Sequence, residues 1–231
     1  MKRIAVLLLL FVSQFTFAQD KVAVFDMDGT LISEEPAYAM AIFAKEYGQN
    51  QIETVNDLVN ELKALTKNPR YDKMLKSFMK TDPIKVYPQM MDVVDSLKAE
   101  GYKLVICTGS EVRFAKAVNK KYFNNKFDVV IGSEFRAEKL KPTNSSINDK
   151  EGKIDNLKSN GITPTIVYGN SHGDFPMMKW VGNGVLVIHD DKASGEYDKP
   201  EQYIKECNEL GFKTIKISDW NLSENPSWKT K

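Results

Sequence analysis

Residues 22–31 read VAVFDMDGTL, an apolar run that stops at two acids and a glycine. Apolar and β-branched residues bounded by Asp and Gly predict a buried strand, with Asp26 and Asp28 at its end. In an open parallel sheet, ligands bind in the crevice at the carboxyl ends of the strands. Two carboxylates placed there repel each other unless a positive charge lies between them. The stretch therefore predicts a site for a divalent cation and a phosphate.

Strand and helix patterns alternate along much of the remaining chain. Further strands are predicted over residues 103–108, 127–132, 165–169, 184–189 and 213–218. Helices are predicted over residues 89–100, 111–123, 153–160 and 200–210, with another that starts near Asp174–Pro176. Residues 133–150 are polar and irregular and predict a hairpin and a loop. This alternation predicts an α/β fold with a Rossmann-like parallel sheet core and helices on both faces.

Residues 33–85 interrupt this alternation with three helical patterns in succession. The first covers residues 36–48 and the second residues 54–67. We interpret the segment as a small helical cap inserted after the first strand. The core then consists of residues 19–32 plus 86–231.

Capping residues mark the starts of two of these helices. Thr54 with Asp57 three residues later is close to a capping box. Asn68 and Pro69 predict the start of the third helix, with Asn as the cap and Pro in the first turn.

Four segments, in order along the chain, resemble the motifs of the haloacid dehalogenase-like (HAD) superfamily. DMDGT (26–30) resembles the first motif and KLVICTGS (103–110) the second. Lys153 resembles the third, a lysine at a helix start, and YGNSHGDFPMM (168–178) resembles the fourth. Each segment alone is a weak signal, but four in order are a strong one. The layout is most similar to the phosphoserine phosphatase-like branch, which includes phosphocholine phosphatases.

The resemblance implies a Mg²⁺-dependent phosphomonoesterase that acts on a small phosphate ester. Asp26 would be the nucleophile and form an aspartyl-phosphate, which divides one hard step into two easier ones. Asp28 would protonate the leaving group and then deprotonate the attacking water. The metal ligands would be Asp26, Asp28 through its main-chain carbonyl, Asn170 and Asp174. Because Asn170 stands where many relatives carry an acid, we expect a weaker Mg²⁺ site than an all-acid one.

Three consecutive residues after the second predicted strand are candidates for binding the phosphate. Thr108 offers a hydroxyl, and Gly109 and Ser110 offer backbone N–H groups at a predicted helix N-terminus, where anions bind. Ser110 is the expected N-cap. Lys153 would neutralise charge that develops on the phosphoryl oxygens. Other lysines that compete for this role are Lys141, Lys150 and Lys158.

The predicted cap should determine substrate specificity. Glu34 and Glu35 follow the first motif, and in relatives a glutamate near the position of Glu35 binds the amino group of the substrate. Arg70 is a candidate for binding a carboxylate, since a guanidinium pairs with a carboxylate through two hydrogen bonds. Aromatic residues that could instead surround a quaternary ammonium are Tyr38, Phe43, Tyr47 and Tyr71. We favour helix packing as the role of these aromatic residues.

The net charge argues against nucleic acid as a partner, and the N-terminal residues predict export from the cytoplasm. The chain has 231 residues and a net charge of +1, which gives no electrostatic footprint for nucleic acid. Residues 1–18 combine a basic start, a short apolar run and small residues before Ala18, which predict a cleaved signal peptide. We therefore expect a secreted or periplasmic protein with no stable membrane insertion after cleavage. No protein partner is indicated, and Cys107 and Cys207 are expected to be free thiols.

Two other functions stay open at this point. A C–halogen hydrolase of the same fold needs neither a metal nor a second acid in the first motif, so Asp28 argues against it. A non-catalytic protein that binds a phosphate ligand remains an alternative because of Asn170. His172, in the fourth motif, is interpreted as a solvent-exposed loop histidine.

Overall fold

The computed structural model of the protein describes residues 21–135, 147–189, 192 and 200–217. Six parallel strands form one sheet within these residues, in the order β3-β2-β1-β4-β5-β6. The strands are β1 (Val22–Phe25), β2 (Lys103–Glu111), β3 (Val129–Ser133), β4 (Ile166–Gly169), β5 (Gly184–Ile188) and β6 (Lys213–Lys216). The strand order reverses at β1, which pairs with β2 on one side and β4 on the other.

Eight helices accompany the sheet in the described part of the chain. They are α1 (Ala39–Tyr47), α2 (Val55–Lys67), α3 (Tyr71–Lys80), α4 (Pro88–Ala99), α5 (Val112–Tyr122), α6 (Glu151–Ser159), α7 (Phe175–Val181) and α8 (Pro200–Glu209). Side chains of β1 alternate between two apolar clusters, with Ala23 and Phe25 in one and Val22 and Val24 in the other. Both faces of the sheet are therefore covered, as a parallel sheet requires. The predicted α/β fold with a helical insertion after the first strand is confirmed.

Helices α1 to α3 form the insertion between β1 and α4. Aromatic packing joins it to the core, since the ring centroids of Phe43 and Phe114 lie 5.9 Å apart and those of Phe78 and Phe114 lie 6.1 Å apart. The capping box predicted at Thr54 and Asp57 is present at the start of α2.

The predicted start of the third helix is wrong. Asn68 is the C-cap of α2, and its side-chain oxygen accepts a hydrogen bond from the backbone N–H of Arg70. Helix α3 begins only at Tyr71. Residues 68–70 instead form a turn before α3, in which the backbone N–H of Tyr71 donates to the carbonyl oxygen of Asn68 at 3.0 Å. The first helix of the insertion also begins later than predicted, at Ala39.

Strand β2 is longer than predicted, and this changes the start of α5. The strand continues through Glu111, with an irregularity in its pairing to β3 between Cys107 and Glu111. Glu111, not Ser110, is the N-cap of α5, and its carboxylate accepts the backbone N–H groups of Arg113 and Phe114.

A polar cluster around Glu111 links the insertion to the core. The hydroxyl of Tyr71 in α3 donates to Glu111 Oε2 at 2.8 Å. The guanidinium of Arg113 lies 4.0 Å from the centroid of the Tyr71 ring, and its Nη2 donates to the carbonyl oxygen of Thr66 in α2 at 2.9 Å. The buried carboxylate is thereby satisfied by groups from both parts of the fold.

Some sequence predictions lie wholly or partly outside the described residues. The predicted signal peptide over residues 1–18 is one, and most of the predicted hairpin and loop over 133–150 is another. Within the described ranges, no helix has the length and apolar character needed to cross a membrane. Cys107 and Cys207 are both buried free thiols, as predicted.

Candidate active site

A cavity of about 170 Å³ lies at the carboxyl ends of β1, β2 and β4. Seven of the residues predicted for the site line it, namely Asp26, Asp28, Thr108, Gly109, Ser110, Lys153 and Asn170. This volume is small beside the roughly 300–1,000 Å³ that is common for ligand pockets. The cavity therefore suits a small molecule.

Asp26 directly follows β1, where the central position of the strand fixes its backbone. Its backbone N–H donates to the carbonyl oxygen of Tyr168 in β4 at 2.9 Å. Its side chain lines the cavity, and Oδ1 accepts a hydrogen bond from Lys153 Nζ at 2.7 Å. The carboxylate is thus held at the sheet edge by a buried ammonium group.

Lys153 lies on α6 and bridges two carboxylates. Its Nζ lies 2.6 Å from Asp174 Oδ1 as well as 2.7 Å from Asp26 Oδ1, and its side chain is 4% exposed. Burial alone would lower the pKa of Lys153, but the charges of Asp174 and Asp26 raise it above its ordinary value. Lys153 is therefore a cation at neutral pH.

The pKa of Asp26 is raised well above its ordinary value. Burial is the largest cause, and the negative charges of Asp174 and Asp28 act in the same direction. The charge of Lys153 opposes them. A buried carboxylate among other acids needs additional positive charge to remain ionised. A cation bound in the cavity would supply that charge.

Asp28 is held by hydroxyl groups from the end of β2. Its Oδ2 accepts hydrogen bonds from Ser110 Oγ at 2.7 Å and from Thr108 Oγ1 at 3.4 Å. Its Oδ1 is buried and has no hydrogen-bond partner among the described residues. Burial raises the pKa of Asp28, although the two hydroxyl donors oppose that effect. A raised pKa favours the protonated form, which can give up a proton.

Gly29 is required at the turn that follows β1. Its φ of +70° lies in the left-handed region that favours glycine. A β-carbon added there would clash with the side-chain amide of Asn170 and lie 2.8 Å from Glu34 Oε1. The close approach brings Asn170 beside the two aspartates, and Thr30 Oγ1 donates to Asn170 Oδ1 at 3.2 Å.

Ser110 lines the cavity, but the structure does not place its backbone N–H at a helix N-terminus as predicted. Ser110 lies in β2, and its backbone N–H donates to Thr108 Oγ1 at 3.1 Å. Its hydroxyl is used by Asp28. Thr108 and Gly109 line the cavity at this edge. Ser110 therefore contacts the acid at the second position of the first motif.

Asp174 does not have a free carboxylate oxygen for a metal. Its Oδ1 accepts from Lys153, and its Oδ2 accepts the backbone N–H groups of Asn170 and Ser171 at 3.0 and 3.1 Å. Its side chain makes no capping hydrogen bond at the start of α7. Asp174 instead holds Lys153 and shapes the loop that carries Asn170.

The remaining donors suit a hard divalent cation with few protein ligands. Asp26 and Asn170 line the cavity and carry side-chain oxygens, and the main-chain carbonyl of Asp28 would be the third ligand. Mg²⁺ prefers oxygen ligands and retains several waters. No group of three or more His, Cys, Asp or Glu residues suited to a metal occurs within the described ranges.

The two predicted specificity residues do not line the cavity. Glu35 accepts a hydrogen bond from the backbone N–H of Lys192 at 2.7 Å, and Arg70 is exposed beside α3. Glu34 lines the cavity instead and is 2% exposed. Its Oε2 lies 3.6 Å from His189 Nε2. The sequence prediction chose Glu35 over its neighbour Glu34, because a loop without periodicity does not show which of two adjacent side chains faces the cavity.

The aromatic residues considered for an ammonium cage are mostly core residues. Tyr38 lines the cavity and is 43% exposed. Phe43 and Tyr71 are buried in the core, and Tyr47 packs against it. Helix packing, the favoured interpretation, is therefore correct for three of the four. His172 is exposed, as expected, and its Nε2 lies 2.7 Å from Glu206 Oε2 in α8.

Sequence comparison assigns the family. The family model for haloacid dehalogenase-like hydrolases matches residues 23–179. This range includes most of β1, the insertion and the loop that carries Asn170 and Asp174. The chain belongs to this family of hydrolases. The comparison with curated proteins found no match.

Solved structures share the fold at low sequence identity. A protein of unknown function from Bordetella pertussis aligns with a TM-score of 0.57 and 16% identity, over 86% of this chain and 99% of that chain. A HAD family hydrolase from Salmonella enterica aligns with a TM-score of 0.51 and 18% identity, over 84% of this chain and 66% of that chain. At these identities, the likeness concerns the fold alone.

Proposed function

We propose that this hydrolase is a Mg²⁺-dependent phosphomonoesterase that acts through an aspartyl-phosphate. The observation that carries the proposal is the cavity-lining carboxylate of Asp26, held by Lys153 Nζ at 2.7 Å and followed two residues later by Asp28. Phosphoryl transfer depends on positioning and charge neutralisation, and both are available at this site.

In the first step, an oxygen of Asp26 attacks the phosphorus of the ester. A bond forms between that oxygen and phosphorus, and the bond from phosphorus to the leaving oxygen breaks. Asp28 donates its proton to the leaving oxygen, which a buried carboxyl with a raised pKa can do. Lys153 stabilises negative charge next to the reacting group.

In the second step, water attacks the phosphorus of the aspartyl-phosphate. Asp28, now ionised, accepts a proton from the water, and the bond from phosphorus to Asp26 breaks. Inorganic phosphate leaves, Asp26 regains its carboxylate and Asp28 regains its proton. Thr108 Oγ1 and Ser110 Oγ stabilise the ionised form of Asp28 between the two steps.

The metal would be held by Asp26, Asn170 and the main-chain carbonyl of Asp28, with Asp174 acting on Lys153 and the loop. When bound, a divalent cation would neutralise charge on the phosphate and on Asp26. The buried Asp28 Oδ1, which lacks a partner in the described residues, supports the presence of an additional group in the cavity.

Hydrolysis of p-nitrophenyl phosphate tests the proposal. We expect phosphate release that EDTA abolishes and added Mg²⁺ restores. Asp26→Asn should abolish it, and full activity in that variant would remove Asp26 as the nucleophile. Phosphate binding without turnover would favour the non-catalytic alternative that Asn170 raises. A panel of small esters that includes phosphoserine and phosphocholine would then test the proposed similarity to the phosphoserine phosphatase-like branch.

A further inference from the structure

A buried polar cluster lies behind the end of β2, outside the groups used in the proposed reaction. It consists of Ser133 at the end of β3, Asn148 before α6 and Asn156 within α6. Ser133 and Asn148 are fully buried, and Asn156 is 6% exposed. Buried amides and hydroxyls cost free energy unless they are hydrogen-bonded, so the direction of their hydrogen bonds shows what they hold in place.

Asn148 joins β2 to α6. Its Nδ2 donates to the main-chain oxygen of Thr108 at 2.8 Å, and its Oδ1 accepts from Asn156 Nδ2 at 2.9 Å. Asn156 is three residues after Lys153 on α6 and therefore lies on the same side of that helix. One side chain thus spans the two elements that carry Thr108 and Lys153.

Ser133 holds the next residue of β2. Its Oγ donates to the main-chain oxygen of Gly109 at 2.6 Å and accepts the backbone N–H of Asn148 at 2.9 Å. The carbonyl oxygens of Thr108 and Gly109 are therefore both hydrogen-bonded to this cluster. Thr108 and Gly109 also line the cavity, so the same hydrogen bonds fix the positions of their groups that face a ligand.

We infer that Asn148 is a positioning residue for phosphate binding, acting with Ser133 and Asn156. It sets the distance between the Thr108–Gly109 edge and Lys153, the two proposed contacts for the phosphoryl oxygens. Asn148 itself does not touch the substrate. The inference rests on the proposed function, because it assumes that a phosphate binds in this cavity.

Loss of this side chain should weaken phosphate binding beyond any loss of stability. Hydrogen bonds to a charged ligand depend on distance and angle. A displacement of Thr108 and Gly109 would therefore weaken several hydrogen bonds to the phosphate at once. We expect Asn148→Ala to raise the Kd for inorganic phosphate, measured by calorimetry with Mg²⁺ present, by roughly tenfold or more. For p-nitrophenyl phosphate, kcat/KM should fall, and the inhibition constant of phosphate should rise in parallel.

Asn119 offers a matched control. It is a buried asparagine in α5 whose amide donates to the carbonyl oxygen of Phe127 and accepts from the N–H of the same residue, at 3.2 and 3.4 Å. Asn119→Ala should lower the unfolding temperature in a similar way but leave the phosphate Kd within about twofold of the wild type. The comparison separates positioning from general destabilisation.

Ser133→Ala keeps the test decisive if Asn148→Ala does not fold. This smaller change removes the hydroxyl that holds Gly109, and we expect the phosphate Kd to rise at least about threefold. An unchanged Kd in the folded Asn148 or Ser133 variant would overturn the positioning role while the proposed function stands. If the wild type neither binds phosphate nor hydrolyses the ester, the proposed function fails together with the inference.

Discussion

Lys153 Nζ lies 2.6 Å from Asp174 Oδ1, as close as it lies to the proposed nucleophile. The lysine therefore has a second carboxylate partner that keeps it in place. Asp174 is in turn held by two backbone N–H groups of its own loop. Neutralising Asp174 alone would leave Lys153 with Asp26 as its one anionic hydrogen-bond partner among the described residues. Removing Lys153 would leave two buried acids without this cation.

Removal of the lysine charge should cost both stability and activity. For Lys153→Met we expect a loss of about 3–5 kcal/mol in the free energy of unfolding, the usual result when one partner of a buried ion pair is removed. Lys153→Met combined with Asp174→Asn should lose less than the sum of the single changes. Urea unfolding of the three variants measures this coupling, and simple additivity would contradict it.

Asp26→Asn should stabilise the protein while it abolishes hydrolysis. Burial, followed by the nearby acids Asp174 and Asp28, raises the pKa of Asp26. An acid whose pKa is higher in the folded state than in the unfolded state stabilises the fold fully only below its unfolded pKa of about 4. That contribution to the free energy of unfolding is lost as pH rises through the folded pKa. At pH 7, the neutral amide avoids this cost.

Urea unfolding of Asp26→Asn and the wild type in EDTA, at pH 7 and at pH 4, measures the effect. The stability advantage of the variant should shrink as pH falls. Activity should decrease by roughly 10⁴-fold or more, as for other nucleophile variants. Equal stability at both pH values would show that burial of the ionised Asp26 is not costly.

Asn170→Asp should tighten Mg²⁺ binding. The substitution adds a carboxylate beside Asp26, and a higher ligand charge raises affinity for hard cations. The hydrogen bond from Thr30 Oγ1 can be kept, since a carboxylate oxygen also accepts. We expect the Mg²⁺ concentration for half-maximal activity to fall by roughly tenfold. Unchanged or poorer affinity for the metal would count against Asn170 as a ligand.

Gly29→Ala should reduce stability and activity by more than the strain of a left-handed backbone alone would cause. Gly29 and Gly161 have φ values of +70° and +67°. A β-carbon at Gly161 meets no atom within 4 Å, whereas one at Gly29 clashes with Asn170. Gly161→Ala should therefore cost about 1–2 kcal/mol of strain with activity retained. Gly29→Ala should cost more and abolish phosphate release, and comparable activity in the two variants would be inconsistent with this account.

Glu34 and Glu35 should differ in their effect on substrate preference. Glu34 lines the cavity, whereas Glu35 accepts the backbone N–H of Lys192. Glu34→Gln should lower kcat/KM for an ester with a cationic leaving group by roughly tenfold relative to a neutral one. Glu35→Gln is the control and should leave that ratio unchanged. A shift caused by Glu35→Gln instead would restore the original sequence prediction.

Both cysteines should resist modification in the folded protein. Burial raises the pKa of Cys107 to about 12 and that of Cys207 to about 11, so little thiolate is present at pH 8. Ellman's reagent should react slowly with the native protein and should titrate both thiols in guanidinium chloride. Rapid reaction of one thiol without denaturant would show that its helix or strand opens locally.

The sequence was most informative where spacing and topology act together. Asp26 and Asp28 follow a buried run, and parallel strands bring their carboxyl ends to one edge. The same rule brings Thr108 to that edge, and α6 supplies Lys153. The capping box at Thr54 and Asp57 was predictable because both partners lie within four residues.

Other features depend on contacts between distant parts of the chain. β2 extends to Glu111, which pairs with Ser133 of β3 and whose carboxylate accepts from Tyr71, and no local pattern reveals either contact. Glu35 is turned away from the cavity by a hydrogen bond to a residue 157 positions later. Asn148 resembled any polar loop residue until its contact with Thr108, 40 residues earlier, was known.

The two-sided pairing of β1 has a consequence for how this protein fluctuates. Separating Asp26 from its surroundings by local opening would require breaking ladders to both β2 and β4. Amide protons of residues 23–25 should therefore exchange with solvent only through global unfolding, at the slow limit for the molecule. The group proposed to react would then be anchored to the most persistent segment of the chain.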